Sequence, residues 1–286
     1  MQPATHTAQI DNYRINYWTY GNPKKQPVLF VHGFTGSNEG FQYIVPQLQH
    51  DFYLIVPDLP GFGASELGSD TWGIDEIARR ANEFAKSLKL PHKPHVVAHS
   101  MGGVVAASML SQNPHLYQKK AVFISPHVQP VKGLRVVGAA LQTLQYSLGT
   151  IIPVLGPKFV KSRLYSRIAT KLIMTTKKKT LKKAIYRHHF RNLEFISSIG
   201  FYYNLHREII KTGALRYANA LRNFRVLIVT GNKDAVTPLA TQKRFQTALA
   251  ATLKVIPGVG HLLHYEKPTE VAAALRDRLA SLGEQR

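Results

Sequence analysis

Ser100, Asp234 and His261 are far apart along the chain and of the three residue types that acyl transfer uses. Ser100 lies in His95-Val-Val-Ala-His-Ser-Met-Gly-Gly103, an apolar run that meets small residues and then a helix-forming stretch. Small residues two before and two after a serine let a strand turn sharply into a helix, which lifts the hydroxyl above the sheet edge. The helix N-terminus beneath it adds oriented amides and a dipole that favours developing negative charge. A serine hydroxyl is a poor nucleophile until a base takes its proton, and the base needs a carboxylate to fix its tautomer. Gly231-Asn-Lys-Asp234 and Gly258-Val-Gly-His261 each follow a β-rich apolar run and supply these two groups. Singly, Asp234 reads as a turn aspartate and His261 as a helix-start histidine. Together, each just past a strand's carboxyl end, the three read as a proton relay.

Two other imidazoles compete. His264 falls one turn into the following helix, so His261 is the preferred base. His99 adjoins the nucleophile, but its side chain is expected to point away at so tight a turn. Phe30-Val-His32-Gly-Phe34-Thr-Gly36 is a glycine-rich strand exit where backbone amides can approach a ligand. The amides of Phe34 and Met101 are therefore the candidate oxyanion donors. His32 is assigned a structural hydrogen bond, and Asp58-Leu-Pro-Gly-Phe-Gly-Ala-Ser65 a turn.

These residues need a scaffold that brings strand ends together. Short apolar runs at Pro27–His32, Phe52–Asp58, His95–His99, Ala121–Ser125, Arg225–Thr230 and Leu253–Pro257 predict buried strands. Helical patterns at Trp72–Leu90, Gly102–Gln112, Leu239–Leu249 and Thr269–Leu282 lie between or after them. Strands alternating with amphipathic helices predict a mostly parallel sheet covered on both faces. Thr7–Tyr20 reads as an antiparallel hairpin at its edge.

A chain of 286 residues, 44 % apolar and 19 % charged, can bury a large core. The absence of cysteine excludes disulfides, thiolate metal sites and a cysteine nucleophile. Met1–Asp11 has neither a charged n-region nor an apolar h-region, so no signal peptide is expected. No run of 18 apolar residues predicts a membrane span. A cytoplasmic protein follows, with peripheral placement at the inner face of the membrane as a further expectation.

The charge is the unusual feature: 37 Lys and Arg against 16 Asp and Glu, a balance of +21. It is concentrated. Residues His127–Arg222 hold 18 basic side chains and two acidic ones, Glu194 and Glu208, or +16 over 96 residues. This stretch differs in pattern from its flanks and reads as a layer inserted into a host domain. Within it, Val136–Pro157 carries no charge over 22 positions, which suggests apolar helices over the site or a patch resting on an interface. Lys171–Arg191 carries eight basic residues and no acidic one, and Leu181 and Ile185 share one face of a predicted basic amphipathic helix. Attraction to anionic headgroups is the expectation; a solvated basic face and steering of a soluble anion are the alternatives. No reader motif supports nucleic-acid binding, and the histidines lack an acidic cluster, so no metal and no cofactor are expected.

The His-Gly-Phe, Asp-x-Pro-Gly-x-Gly-x-Ser and His-Ser-Met-Gly-Gly motifs resemble the α/β-hydrolase superfamily. Their subgroup includes esterases, monoacylglycerol-lipase-like enzymes, carbon–carbon bond hydrolases and a menaquinone-pathway synthase. The resemblance covers Pro27–Ser125 and Arg225–Leu282, with Ala98 where glycine is commoner. Ser100 argues against the dehalogenases, which place Asp there. The resemblance implies an α/β-hydrolase core at 1–126 and 223–286, with 127–222 as an inserted helical cap. It also implies a serine hydrolase of carboxylic esters, with acyl lipids such as monoacylglycerols or lysophospholipids as the expected substrates. Cleavage at a soluble anionic carbonyl compound clamped by the basic cap is one alternative. A non-catalytic, membrane-associated binding protein on the same scaffold is another.

Overall fold

The computed structural model describes residues 3–68, 73–152 and 154–280. The apolar runs form one eight-stranded sheet: β1 (Ala4–Ile10), β2 (Tyr13–Tyr20), β3 (Pro27–Val31), β4 (Tyr53–Pro57), β5 (His95–His99), β6 (Lys120–Ile124), β7 (Arg225–Gly231) and β8 (Thr252–Ile256). Their spatial order is β1-β2-β4-β3-β5-β6-β7-β8. The β1–β2 hairpin and the β2–β4 pair are antiparallel, and every other pairing is parallel.

The helices in chain order begin with α1 (Val45–Leu48), α2 (Ile74–Ser87) and α3 (Met101–Gln112). A helical segment follows β6: α4 (Arg135–Ile151), α5 (Leu155–Val160), α6 (Arg163–Ile173), α7 (Lys179–Glu194) and α8 (Ile199–Ile209). The chain finishes with α9 (Ala218–Leu221), α10 (Leu239–Leu249), α11 (Leu263–Glu266) and α12 (Pro268–Ala280). Trp72, Pro153 and Leu282, which fall within predicted elements, lie outside the described residues.

Alternation along each central strand creates two cores. Val96 and Ala98 of β5 pack into the core that α2 and α3 cover, whereas Val97 enters the opposite core beneath α1 and α12. Strands covered on both faces need side chains that tolerate burial on both, which is why they read as unbroken apolar runs. In α2, Ile74, Ile77, Ala81 and Phe84 face the sheet at three- and four-residue spacing, and all four are buried. Burying each of the larger three contributes about 1.5–3 kcal/mol. Asp75 and Glu76 in the first turn and Lys86 in the last suit the helix dipole.

The basic amphipathic helix expected within Lys171–Arg191 is present as α7, which holds Leu181 and Ile185, but the run is not helical throughout. It is divided between the end of α6 and α7. The reason is tertiary. Thr175 between them donates its N–H to Glu266 Oε1 (2.9 Å) and its hydroxyl to Oε2 (2.6 Å). Its Oγ1 also accepts the Gly260 N–H at 3.2 Å. The apolar stripe of α7 is likewise used inside the protein, where Leu181 and Ile185 pack with Leu262 and Tyr265. Among the described residues no helix is long and apolar enough to cross a membrane.

Candidate functional site

At the carboxyl end of β5 the backbone turns into α3 through Ser100, whose φ of 55° and ψ of −120° lie far from ordinary serine conformations. Such a residue costs roughly 1–3 kcal/mol and persists only when its surroundings over-determine it. The Ser100 N–H donates to Ile124 O, while its carbonyl accepts from Gly103 and His127. Gly102 is obligatory for close approach: a Cβ there would sit 2.3 Å from Val31 O and 2.4 Å from His32 O. The turn is thereby clamped between β3 and β6, with the serine side chain facing a cavity.

Asp234 follows β7 and His261 follows β8. Gly231 lets their loops touch, since a Cβ on it would fall 2.2 Å from Val259 O. The Ser100 hydroxyl lies 2.9 Å from His261 Nε2, and His261 Nδ1 lies 3.0 Å from Asp234 Oδ2. A carboxylate only accepts, so Nδ1 carries the proton and Nε2 is left to accept from the hydroxyl. Asp234 also receives the Val236 and Thr237 N–H groups at 2.9 and 2.8 Å on Oδ1, and the Thr237 hydroxyl at 2.8 Å on Oδ2. Burial pushes the Asp234 carboxyl up. The facing His261 and the hydrogen bonds from His261, Thr237 and Ser125 outweigh it and hold the group down at about 2. Thr237 is a residue that the sequence reading missed. Its signal was the Asp-x-x-Thr spacing before Pro238, which suits a turn closed on the aspartate.

The loop after β3 is tied down from below. Gly36 N–H closes a turn on Gly33 O at 2.9 Å, with Thr35 at φ 54°. His32 donates from Nδ1 to Gly33 O and accepts the Leu59 N–H on Nε2, both at 2.9 Å. Asp58 accepts the Ala64 N–H at 2.8 Å and both Asn38 nitrogens, which builds the neighbouring turn. Phe34 thus stands in the cavity wall beside Ser100, while Met101 follows the serine as the first residue of α3.

His99 does not point away from the site. Its ring centroid is 5.0 Å from that of His261 and 4.0 Å from that of His264, and its Nε2 donates to His261 O at 3.2 Å. Gly33 makes room for it, because a Cβ there would meet His99 Nδ1 at 3.2 Å. Burial foremost, and then His261, hold His99 down at about 3, so it is neutral. His264 is likewise held well below the usual range by burial and by His99. His261, with its carboxylate partner, is the imidazole that reaches the serine.

The cavity measures about 260 Å³. Phe34, Tyr146, Tyr165, Ala169, Ile173 and Leu193 give its apolar wall; Ser37, Gln145, Ser166, Thr170 and Asn192 give its polar one. Side chains from α4, α6 and α7 therefore close it over the strand ends. No Lys or Arg lines it among the described residues, and no group of three His, Asp or Glu there could hold a metal ion.

A family model described as the alpha/beta hydrolase family matches residues 28–274. The uncharacterized hydrolase YugF of Bacillus subtilis is 31 % identical over 117 residues, 41 % of this chain and 42 % of that protein, so the matched part is under half of that relative. Monoacylglycerol lipase abhd6-B of Xenopus laevis is 25 % identical over 95 % of this chain and 80 % of its own length. The crystal structure of a bromoperoxidase from Bacillus anthracis superposes with a TM-score of 0.80 over 97 % of this chain and all of that one. At 20 % identity that likeness speaks for the fold alone.

Proposed function

The chain belongs to the alpha/beta hydrolase family, and from that premise we propose that it is a serine hydrolase of carboxylic esters, with acyl lipids as its substrates. The observation that carries this reading is the unbroken hydrogen-bond chain from the Ser100 hydroxyl through His261 to Asp234.

Ser100 Oγ attacks the acyl carbon as its proton passes to His261 Nε2. Asp234, ionised and held by the Val236 and Thr237 donors as well as by His261 itself, supports the imidazolium that results. The amides of Phe34 and Met101 receive the oxyanion, each worth roughly 3–4 kcal/mol in comparable sites. The imidazolium returns its proton to the leaving alkoxide as the carbon–oxygen bond breaks, which frees the alcohol and leaves an acyl-serine. Water then loses a proton to the same nitrogen and attacks the acyl carbon. The acid departs and Ser100 recovers its hydrogen. The helical segment 127–222 acts as the cap that shapes the substrate cavity.

Two features favour an uncharged acyl ester. The cavity pairs an aromatic and aliphatic wall with hydroxyl and amide groups suited to an alcohol moiety. Among the described residues its wall also holds no Lys or Arg, the clamp that a soluble anionic carbonyl substrate would need. The lipase named among the relatives, aligned over most of both chains, points the same way.

The test is Ser100→Ala against p-nitrophenyl butyrate and a monoacylglycerol. Turnover is expected to fall by at least about a thousandfold, labelling by a fluorophosphonate probe to disappear, and the melting temperature to hold. Turnover near wild type would remove Ser100 from the reaction, and a wild type inert to both esters and probe would reduce the chain to a binding protein.

A further inference from the structure

Two helices over the cavity are amphipathic in the unusual sense. In α6 the buried residues are Ser166 and Thr170, while Leu164, Ile168 and Leu172, spaced four apart, are 69, 54 and 76 % exposed. In α4 the buried residues are Gln145, Tyr146 and Gly149, and Leu141 and Leu144 stand out in solvent. A helix that faces water on its outer side shows the opposite pattern, polar outside and apolar inside. The inward polar groups are accounted for by the cavity they line. The outward apolar ones have no such use within the protein.

The exposure is also concentrated. Of the sixteen large apolar side chains exposed among the described residues, thirteen lie between Leu134 and Leu172. They run from α4 through its turn into α5, with Ile151, Val154 and Leu155, and on along α6. Lone exposed apolar residues need no explanation, but a continuous series does. Charge says what covers it. From Lys132 to Lys171 there are seven basic residues and no acidic one, and no acidic residue occurs anywhere between Glu83 and Glu194. Lys158, Arg163, Arg167 and Lys171 are exposed beside the apolar side chains. A second copy of this chain would bring two such cationic faces together, which repel. A surface that is apolar in depth and anionic at its border fits on both counts.

We propose that the outer face of α4–α6 seats on the surface of an anionic lipid bilayer, its apolar side chains in the acyl boundary and its basic ones among the headgroups. The contact is this face, and not the basic helix α7, whose apolar stripe is spent on Leu262 and Tyr265. The same two helices wall the cavity, so docking holds the hydrolytic site against its lipid substrates. That last consequence rests on the ester-hydrolase reading; the docking itself does not.

The experiment uses the whole chain and vesicles of phosphatidylcholine, with or without phosphatidylglycerol. Wild type is expected to co-sediment with the mixed vesicles and to release them at high salt. The variant Leu141→Gln/Ile168→Gln/Leu172→Gln is expected to lose at least about tenfold in vesicle affinity, and Arg167→Glu/Lys171→Glu to lose the preference for the anionic lipid. Both variants are expected to hydrolyse p-nitrophenyl butyrate in vesicle-free buffer as wild type does. Failure of wild type to bind mixed vesicles, or triple-glutamine binding equal to wild type, would overturn the proposal. So would a wild-type dimer, seen by light scattering, that the triple-glutamine variant disperses. A wild type that binds vesicles but turns over no ester would leave this surface standing and sink the hydrolase reading instead.

Discussion

Ser100 Oγ and His261 Nε2 stand 2.9 Å apart although 161 residues separate them in the chain. The distance is set by backbone, not by side-chain adjustment. Gly102 seats the serine turn against β3, and Gly231 lets the histidine loop reach across the aspartate loop. A further tie comes from the helical segment: Thr175 holds Gly260, next to the histidine, together with Glu266. The His261 imidazole is thus fixed from the sheet below and from the helices above.

Asp234→Asn keeps the shape of the carboxylate but offers an N–H toward His261 Nδ1, which forces the other tautomer and occupies Nε2 with hydrogen. The value of kcat is expected to fall roughly ten-thousandfold. Thr237→Val removes one of the donors to that carboxylate, 2.8 Å from Oδ2. A hydrogen bond to a charged group is worth about 1.5–3 kcal/mol, so kcat is expected to drop roughly ten- to hundredfold with KM kept. Steady-state kinetics with a soluble p-nitrophenyl ester check both; a Thr237→Val enzyme with unaltered kcat would deny the hydroxyl a positioning role.

Acid is expected to destabilise the fold in two steps. Burial, ahead of neighbouring charges, holds His95, His189 and His206 near 4 and His99 near 3, against 6.5 in the unfolded chain. Between those values the unfolded state binds the extra protons, so stability is full above pH 6.5 and declines as pH falls below it, by up to about 1.4 kcal/mol per pH unit per group. Asp234 adds the second step: its contribution is present above 3.8 and lost as pH falls through about 2. Thermal unfolding midpoints measured from pH 8 to pH 3 should be level and then decline steeply, and a midpoint that rises on acidification would contradict the burial of these imidazoles.

Gly102→Ala places a methyl 2.3 Å from Val31 O and 2.4 Å from His32 O, both main-chain atoms that a rotamer change cannot relieve. Overpacking of this kind costs about 1–3 kcal/mol. Because the displaced segment carries Ser100, activity should fall further than stability. Circular dichroism melts beside ester kinetics measure the two, and retention of full kcat would show that the turn has slack.

Much of the site is readable along the chain because its demands are local. A strand that turns into a helix within one residue admits only small side chains around it, and Ala98, Gly102 and Gly103 meet that demand. Buried parallel strands must be apolar on both faces, and β3, β5, β6 and β7 are. What sequence reasoning missed is equally specific. His99 follows strand alternation into the space between Gly33 and His264, a direction set by three loops at once. The break between α6 and α7 comes from Glu266, 91 residues beyond Thr175. Neither leaves a mark in the neighbouring residues.

The chain's own pattern, then, determined the sheet, the strand ends that carry a hydroxyl, a carboxylate and an imidazole, and the cationic stretch beside them. Steric rules over a few residues are enough for each of those. Which face of α4 and α6 turns inward was decided by tertiary structure alone. Polar Gln145, Ser166 and Thr170 enter the cavity and leucines meet the solvent, an inversion that local hydrophobicity argues against. It arises because helices settle by contact with distant partners, and a cavity to be lined with polar groups reverses the usual sense of burial.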